Sequence, residues 1–307
     1  MSLTRRGLLK LGAAAGLWAA AGRPWPLLAQ ELRLRRVTIP SSGERLPQVG
    51  IGCRGYRGEP DSPEMAELRA TLETFHRLGG RVLDTSPAYG NSEEVVGRLL
   101  RELGIREELF VATEVDRAGR EEGVRRMERS FELLGGEPLD LVRVHVLDGV
   151  ETHLPMLRAW KERGRLRLVG VTATGARQYE QVERVLRRHR LDFIQVDYSL
   201  GERSAAERLI SLAADRGVAV LASQPFGRGR MFTLVGDLPL PPWAAEIGAR
   251  SWAQLFLKYV MAAPGVVIPI PGTTQARHVE DNLRAAVGPL PDARLRREME
   301  RFIDPLL

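Results

Sequence analysis

Arg81-Val82-Leu83-Asp84-Thr85-Ser86-Pro87-Ala88-Tyr89-Gly90-Asn91-Ser92-Glu93 is the stretch on which the fold turns. Apolar residues lead to a polar end at Asp84-Thr85-Ser86, Pro87 and Gly90 mark a turn, and Ser92-Glu93 opens a segment of helical period. The same unit of strand, turn and helix recurs along the body. Strands are predicted over 49–53, 81–86, 109–115, 139–146, 166–173, 193–199, 218–224 and 266–271. Helices are predicted over 63–78, 92–103, 121–134, 154–163, 176–188, 204–216, 249–261 and 276–286. Such alternation is the grammar of a parallel α/β fold. Eight strands with seven crossovers and a closing helix favour a (β/α)8 TIM barrel over an open doubly wound sheet.

Outside the eight units lie three further features. Residues 32–39 and 45–49 flank Pro40-Ser41-Ser42-Gly43-Glu44 and read as an N-terminal β-hairpin able to plug the barrel floor. A short charged C-terminal tail starts at Pro291. Residues 227–242, after the seventh strand, carry Arg228, Arg230 and Phe232 and are expected to overhang the active face as an arginine- and aromatic-lined mouth suited to anionic or planar compounds.

The 307 residues carry a formal charge of +6, but Arg5, Arg6, Lys10 and Arg23 contribute four of those charges in a segment with no acidic residue. The remaining body is close to balanced and offers no phosphate-binding stripe, which argues against nucleic-acid binding. Cys53 is the one cysteine, so no internal disulfide forms, and no Cys/His spacing suggests a metal site.

Residues 1–29 have the layout of an export signal. A charged start containing Arg5-Arg6 precedes an apolar run from Leu11 to Ala21, small residues and prolines, and a cleavage site is placed at Leu27-Leu28-Ala29. The run is too short to span a bilayer, which takes about 20 apolar residues. It resembles the bacterial twin-arginine type, which implies that the export machinery of that name carries the folded protein to the periplasm or another extracytoplasmic space. The mature domain then runs from 30 to 307, without a stable membrane span.

In a barrel, chemistry sits where strands end. Those ends are Asp84 to Gly90 on the second strand, Thr113-Glu114 on the third, His145 on the fourth, Gln195 on the sixth and Pro271-Gly272-Thr273-Thr274 on the eighth, with Asn282 beyond. Taken in order, the segment Asp84–Gly90, Leu139-Asp140-Leu141 leading to His145, Gln195-Val196-Asp197-Tyr198-Ser199 and Ile268–Thr274 with Asn282 make the chain similar to the aldo-keto reductase superfamily, from about Leu46 to Ala286.

The resemblance implies an oxidoreductase that moves hydride between the nicotinamide of NADPH and a small-molecule carbonyl, with Tyr89 protonating the developing alkoxide. It implies Asp84 as the supporting aspartate and His145 as the histidine that orients substrate. The family's lysine beside the tyrosine corresponds here to Glu114. For the cofactor, the family's Ser-Asn pair corresponds to Thr172-Ala173 and Gln195 matches. The stacking aromatic falls on Ser223, with Phe226 as the nearby substitute. Gly272, Thr273 and Asn282 fit the phosphate end, where the expected basic residue is His278 with Arg277 beside it. NADP is implied, with NAD as the alternative.

A second carboxylate near the phenol raises its pKa, which opposes activity. Arg143 lies two residues before His145 on the same strand, so it points the same way one layer deeper. It is expected to pair with Glu114, with or without Asp84, because an inward arginine is costly alone. The alternative is an arginine meeting solvent on an irregular strand. Three functions stay open: a reductase with weak or altered activity, a catalytically inactive barrel serving as a binding or scaffold protein, and an isomerase or lyase using Glu114 with Tyr89 or His145. His76, His153 and His189 fall on helices and are expected to be solvated, without a role.

Overall fold

The computed structural model describes residues 32–60, 62–145 and 147–307; the expected leader lies outside them. An antiparallel hairpin, β1 (Arg36–Thr38) and β2 (Arg45–Pro47), comes first, with Val37 opposite Leu46. The parallel units follow as β3 (Gly50–Gly52) and α1 (Pro63–Arg77), β4 (Val82–Asp84) and α2 (Ser92–Leu103), β5 (Phe110–Val115) and α3 (Arg120–Leu133), β6 (Leu139–Val144) and α4 (Val150–Glu162). The second half continues with β7 (Leu166–Thr172) and α5 (Tyr179–Arg188), β8 (Phe193–Asp197) and α6 (Ser211–Asp215), β9 (Ala219–Ser223) and the short α7 (Arg230–Val235), then α8 (Trp252–Met261), β10 (Val267–Pro269) and α9 (Ala276–Arg284). One turn of π-helix, Ala206–Ile210, leads into α6.

Strands β3 to β10 pair in sequence order, all parallel. The sheet closes on itself where Gly52 bridges Gly272 and Gly52 N donates to Pro271 O at 3.1 Å. This is the eight-stranded (β/α)8 barrel expected from the alternation of elements. Strand side chains alternate between two apolar surfaces, as a parallel sheet covered on both faces requires. Val82, Phe110, Ala112, Leu141, Leu168, Phe193, Leu221 and Ile268 fill the interior, together with Ile39 and Leu46 of the hairpin. The hairpin therefore closes the floor. Leu83, Val111, Val142, Val169, Ile194 and Val220 face outward into the shell of helices.

Local signals set the helix ends. Ser62 caps α1, accepting from Met65 N, with Pro63 in the first turn. Gly104 closes α2 in the left-handed region at φ 67°. The charged tail after Pro291 is itself helical: Asp292 accepts from Leu295 N and starts α10 (Ala293–Ile303), which buries Leu295, Met299 and Ile303 along one face.

His153 corrects an expectation. It is fully buried rather than solvated, with Nε2 2.7 Å from Arg117 O. Gly123 and Gly149 leave room for its ring; a Cβ on either would sit 2.3 or 2.9 Å from a ring atom. His76 and His189 are half-buried and meet surface carboxylates, Glu108 at 2.8 Å and Glu151 at 3.1 Å.

Candidate active site

At the carboxyl ends of the strands lies a cavity of about 550 Å³. Its walls come from the loop after β3 (Cys53, Arg54, Arg57), the end of β4 and its turn (Asp84, Ala88, Tyr89), His145, Gln195, Asp197, and the segment after β9 (Ser223 to Phe226, Arg228, Phe232). The position agrees with the rule that barrel chemistry sits at this face.

The alternation of β4, β5 and β6 turns Asp84, Glu114 and Arg143 inward, one layer above the apolar fill, with Asp84 reaching the cavity wall. Glu114 stands opposite Arg143 in the register of β5 and β6. Arg143 has no exposed surface, and Nη1 donates a hydrogen bond to Asp84 Oδ1. Its Nη2 lies 3.6 Å from Glu114 Oε2, an ion-pair distance too long for a hydrogen bond. Taking such ions out of water costs several kcal/mol each, so a lone arginine here would be untenable. Gly170, its neighbour on β7, makes the space: a Cβ there would lie 2.4 Å from Phe193 O and 3.2 Å from Arg143 Cγ.

The charges follow from this packing. Burial pushes the Asp84 carboxyl up to about 6; Arg143 pulls it down and Glu114 pushes it up. Burial opposes charge on Arg143, yet Asp84 and Glu114 hold its pKa above the ordinary guanidinium value. Tyr89 is half-buried above the cluster. Burial, then Asp84, then Glu114 drive its phenol well above the usual range, against smaller opposing effects of Arg143 and Arg54. The tyrosine is therefore a phenol, not a phenolate, at any ordinary pH.

The Tyr89 turn is held from three sides. Ser86 Oγ accepts from Ala88 N at 3.1 Å, Arg57 Nε donates to Tyr89 O at 3.1 Å, and Arg126 of α3, itself fixed by Asp116, donates to Pro87 O at 3.1 Å. Behind β5, Glu93 of α2 accepts from Thr113 Oγ1 at 2.6 Å and Ser130 Oγ at 2.9 Å, locking the strand that carries Glu114.

Gln195 of β8 lines the cavity, and its register partner on β7, Thr172, is buried beside it without lining it. Thr172 Oγ1 and Gln195 Oε1 are buried without a hydrogen-bond partner among the described residues, which suits a ligand with amide donors. Ser223 Oγ donates to Asp197 Oδ1 at 2.8 Å, so a polar pair occupies the place where a stacking aromatic is expected. Phe226 lines the cavity with Phe232, ring centroids 4.9 Å apart. Gly272 is at the rim. Thr273, Arg277, His278 and Asn282 sit beyond it, on the loop and α9, and do not line the cavity. Thr273 Oγ1 accepts from Gln275 N at 3.1 Å, and Arg277 Nε donates to Gln275 Oε1 at 3.0 Å.

Residues 48–298 match the Aldo/keto reductase family. The chain belongs to this family. Similar proteins include a probable aldo-keto reductase of Glycine max, 24% identical, the match covering 88% of this chain and 89% of that one. Among solved structures, the holo form of an aldo-keto reductase from Bacillus halodurans superposes with a TM-score of 0.73 at 20% identity, covering 88% of this chain and 96% of that one. An aldo/keto reductase from Klebsiella pneumoniae, in complex with NADP and acetate, gives 0.67 at 23% identity, covering 88% and 95%. At these identities the likeness to the solved structures is one of fold.

Within this aldo/keto reductase, two cavity residues, Arg54 and Arg57, have no counterpart in the reading of the sequence. Arg54 and Arg57 come from an aperiodic loop, although its place after the first strand was a readable signal. Asp197 was legible only as part of a motif. Gln224 and Arg228 adopt left-handed backbone, φ 52° and 57°, which non-glycine residues seldom do and which clusters at functional sites. Arg230 turns away from the mouth and donates to Leu307 O at 3.0 Å.

Proposed function

We propose that this aldo/keto reductase is an exported NADP(H)-dependent carbonyl reductase in which a three-residue charge cluster stands where the family's lysine is expected. The observation that carries the reading is the buried Arg143, bonded to Asp84 and at ion-pair distance from Glu114, with Asp84 in the wall of the cavity that Tyr89 also lines.

Thr172 and Gln195 would hold the cofactor's carboxamide through their unpartnered oxygens, Ser223 and Phe226 would flank its ring, and Gly272, Thr273, Arg277, His278 and Asn282 would serve its phosphates, consistent with the preference of helix N-termini for anions. The reduced nicotinamide, when bound, supplies hydride to the carbonyl carbon. Tyr89 gives its phenolic proton to the carbonyl oxygen, and His145 orients that oxygen. With its pKa raised, Tyr89 is always protonated but is a weak acid, so proton transfer has little driving force. Arg143 offsets one of the two carboxylates, and a proton on Asp84 near pH 6 offsets the other. The cluster then places no net negative charge under the phenol.

The test is NADPH oxidation with an activated aldehyde by wild type and Tyr89→Phe. Turnover lost about a hundredfold or more in the variant supports Tyr89 as the acid; equal rates refute it. Export through the twin-arginine route is part of the same proposal. N-terminal sequencing of protein from the extracytoplasmic fraction should begin after Ala29, and protein retained in the cytoplasm would refute it.

A second reading, a barrel that binds without turnover, is favoured by the Ser223–Asp197 pair in the ring pocket. Absence of NADPH binding in a fluorescence titration would move it ahead.

A further inference from the structure

The loop after β3 brings two arginines to the reacting tyrosine. The Arg54 guanidinium carbon lies 5.8 Å from the Tyr89 ring centroid, within cation–π range, and the side chain lines the cavity. Arg57 is committed through Nε to Tyr89 O. Neither arginine makes an ion pair with a carboxylate among the described residues. The two carboxylates in the cavity wall are engaged elsewhere: Asp84 Oδ1 by Arg143, and Asp197 by Ser223 Oγ and by Gly175 N at 3.1 Å. Arg228 on the far side is partly offset by Asp197 and donates through Nε to Gln224 Oε1. Among the described residues, Arg54 is therefore the cavity-lining arginine without an ion pair or hydrogen bond, and it lies beside Tyr89.

We propose that Arg54 binds a carboxylate on the substrate, so that the cavity takes small planar carbonyl compounds with an acid group a few bonds from the reacting carbonyl. A guanidinium fork matches a carboxylate in two parallel hydrogen bonds, giving orientation as well as affinity. Its closeness to the tyrosine ring means that one small molecule touches both. Phe226 and Phe232, their rings tilted by 57° to each other, add apolar surface to the same cavity for the rest of that molecule. This assignment rests on the reductase reading for the chemistry but not for the binding.

The experiment compares 3-formylbenzoate with its methyl ester as substrates for full-length wild type, Arg54→Gln and Arg54→Lys, with NADPH. Wild type is expected to favour the acid by about tenfold or more in kcat/KM, the difference lying in KM, and Arg54→Gln to bring that ratio near one. Arg54→Lys should restore part of it. Changes in Tyr89 acidity affect both substrates and cancel in the ratio. Calorimetric binding of 3-formylbenzoate to wild type and Arg54→Gln reads the site without turnover. Binding lost in Arg54→Gln, with no turnover in either protein, would keep the carboxylate site and refute the reductase. Equal use of acid and ester, an acid preference that survives Arg54→Gln, or no binding of 3-formylbenzoate would each overturn the proposal.

Discussion

Arg143 on β6 donates Nη1–H to Oδ1 of Asp84 on β4, reaching across β5, whose Glu114 it passes at 3.6 Å. One guanidinium thus serves two buried carboxylates. Arg143→Met should leave both uncompensated and cost about 3–5 kcal/mol in chemical denaturation. Adding Glu114→Gln should return part of the loss, since one of the stranded charges is then gone. A single variant within about 0.5 kcal/mol of wild type would contradict a buried ion pair.

The Asp84 carboxyl links the cluster to pH. Its folded pKa, about 6, lies above the ordinary 3.8, so the folded state holds this proton more tightly than the unfolded chain. The group therefore adds stability in acid, and that contribution is lost as pH rises from about 4 to about 6. The loss is roughly 2–3 kcal/mol. Asp84→Asn should flatten this segment of the stability–pH curve. An unchanged slope in the variant would place the titration elsewhere.

Gly170 tests the packing around Arg143. Gly170→Ala puts a methyl 2.4 Å from the Phe193 carbonyl oxygen, a backbone atom that cannot swing aside, and should cost about 1–3 kcal/mol with a loss of activity. Gly119→Ala, where nothing lies within 4 Å, should stay within about 0.5 kcal/mol by the same thermal melt. Similar melting of both variants would show that the interior around Arg143 is looser than described.

Direction of reaction gives a fourth test. Alcohol oxidation needs Tyr89 as a phenolate, and burial with two carboxylates makes that form scarce. Oxidation should be much slower than reduction at neutral pH and should climb without a plateau as pH rises. Glu114→Lys should raise the oxidation rate more than the reduction rate, about tenfold for each unit by which the phenol pKa falls. A plateau in wild-type oxidation near neutral pH would mean that the phenol is not raised.

The barrel was legible because its signal is repeated. Eight apolar runs and the amphipathic helices between them each obey a period, and none has to be read with care for the count to emerge. Asp84, Tyr89 and His145 were legible from their places at strand ends. What stayed hidden depended on register or on aperiodic loops. Gly170 matters only because β6 and β7 align it with Arg143, an alignment no single strand encodes. Arg54 and Arg57 lie in a loop without a pattern. His153 sits on the buried face of α4 with Val150, Leu154 and Leu157, where a polar side chain gives no apolar signal, and Gly123 and Gly149 leave room for its ring. In α10 the apolar spacing of Leu295, Met299 and Ile303 was present but is masked by the surrounding arginines and glutamates.

The measurement that reaches the cluster most directly is the pH dependence of kcat for NADPH-driven reduction of an activated dicarbonyl, from about pH 5 to 8, in wild type and Glu114→Lys. If Asp84, Glu114 and Arg143 together stand in for the lysine, wild type turns over and its rate rises as pH falls through about 6, where Asp84 takes up a proton. Glu114→Lys should be faster and should lack that rise, because a lysine beside Asp84 keeps the carboxylate ionised. A wild type that is silent while Glu114→Lys is active, or a wild-type rate that is flat through pH 6, would contradict it.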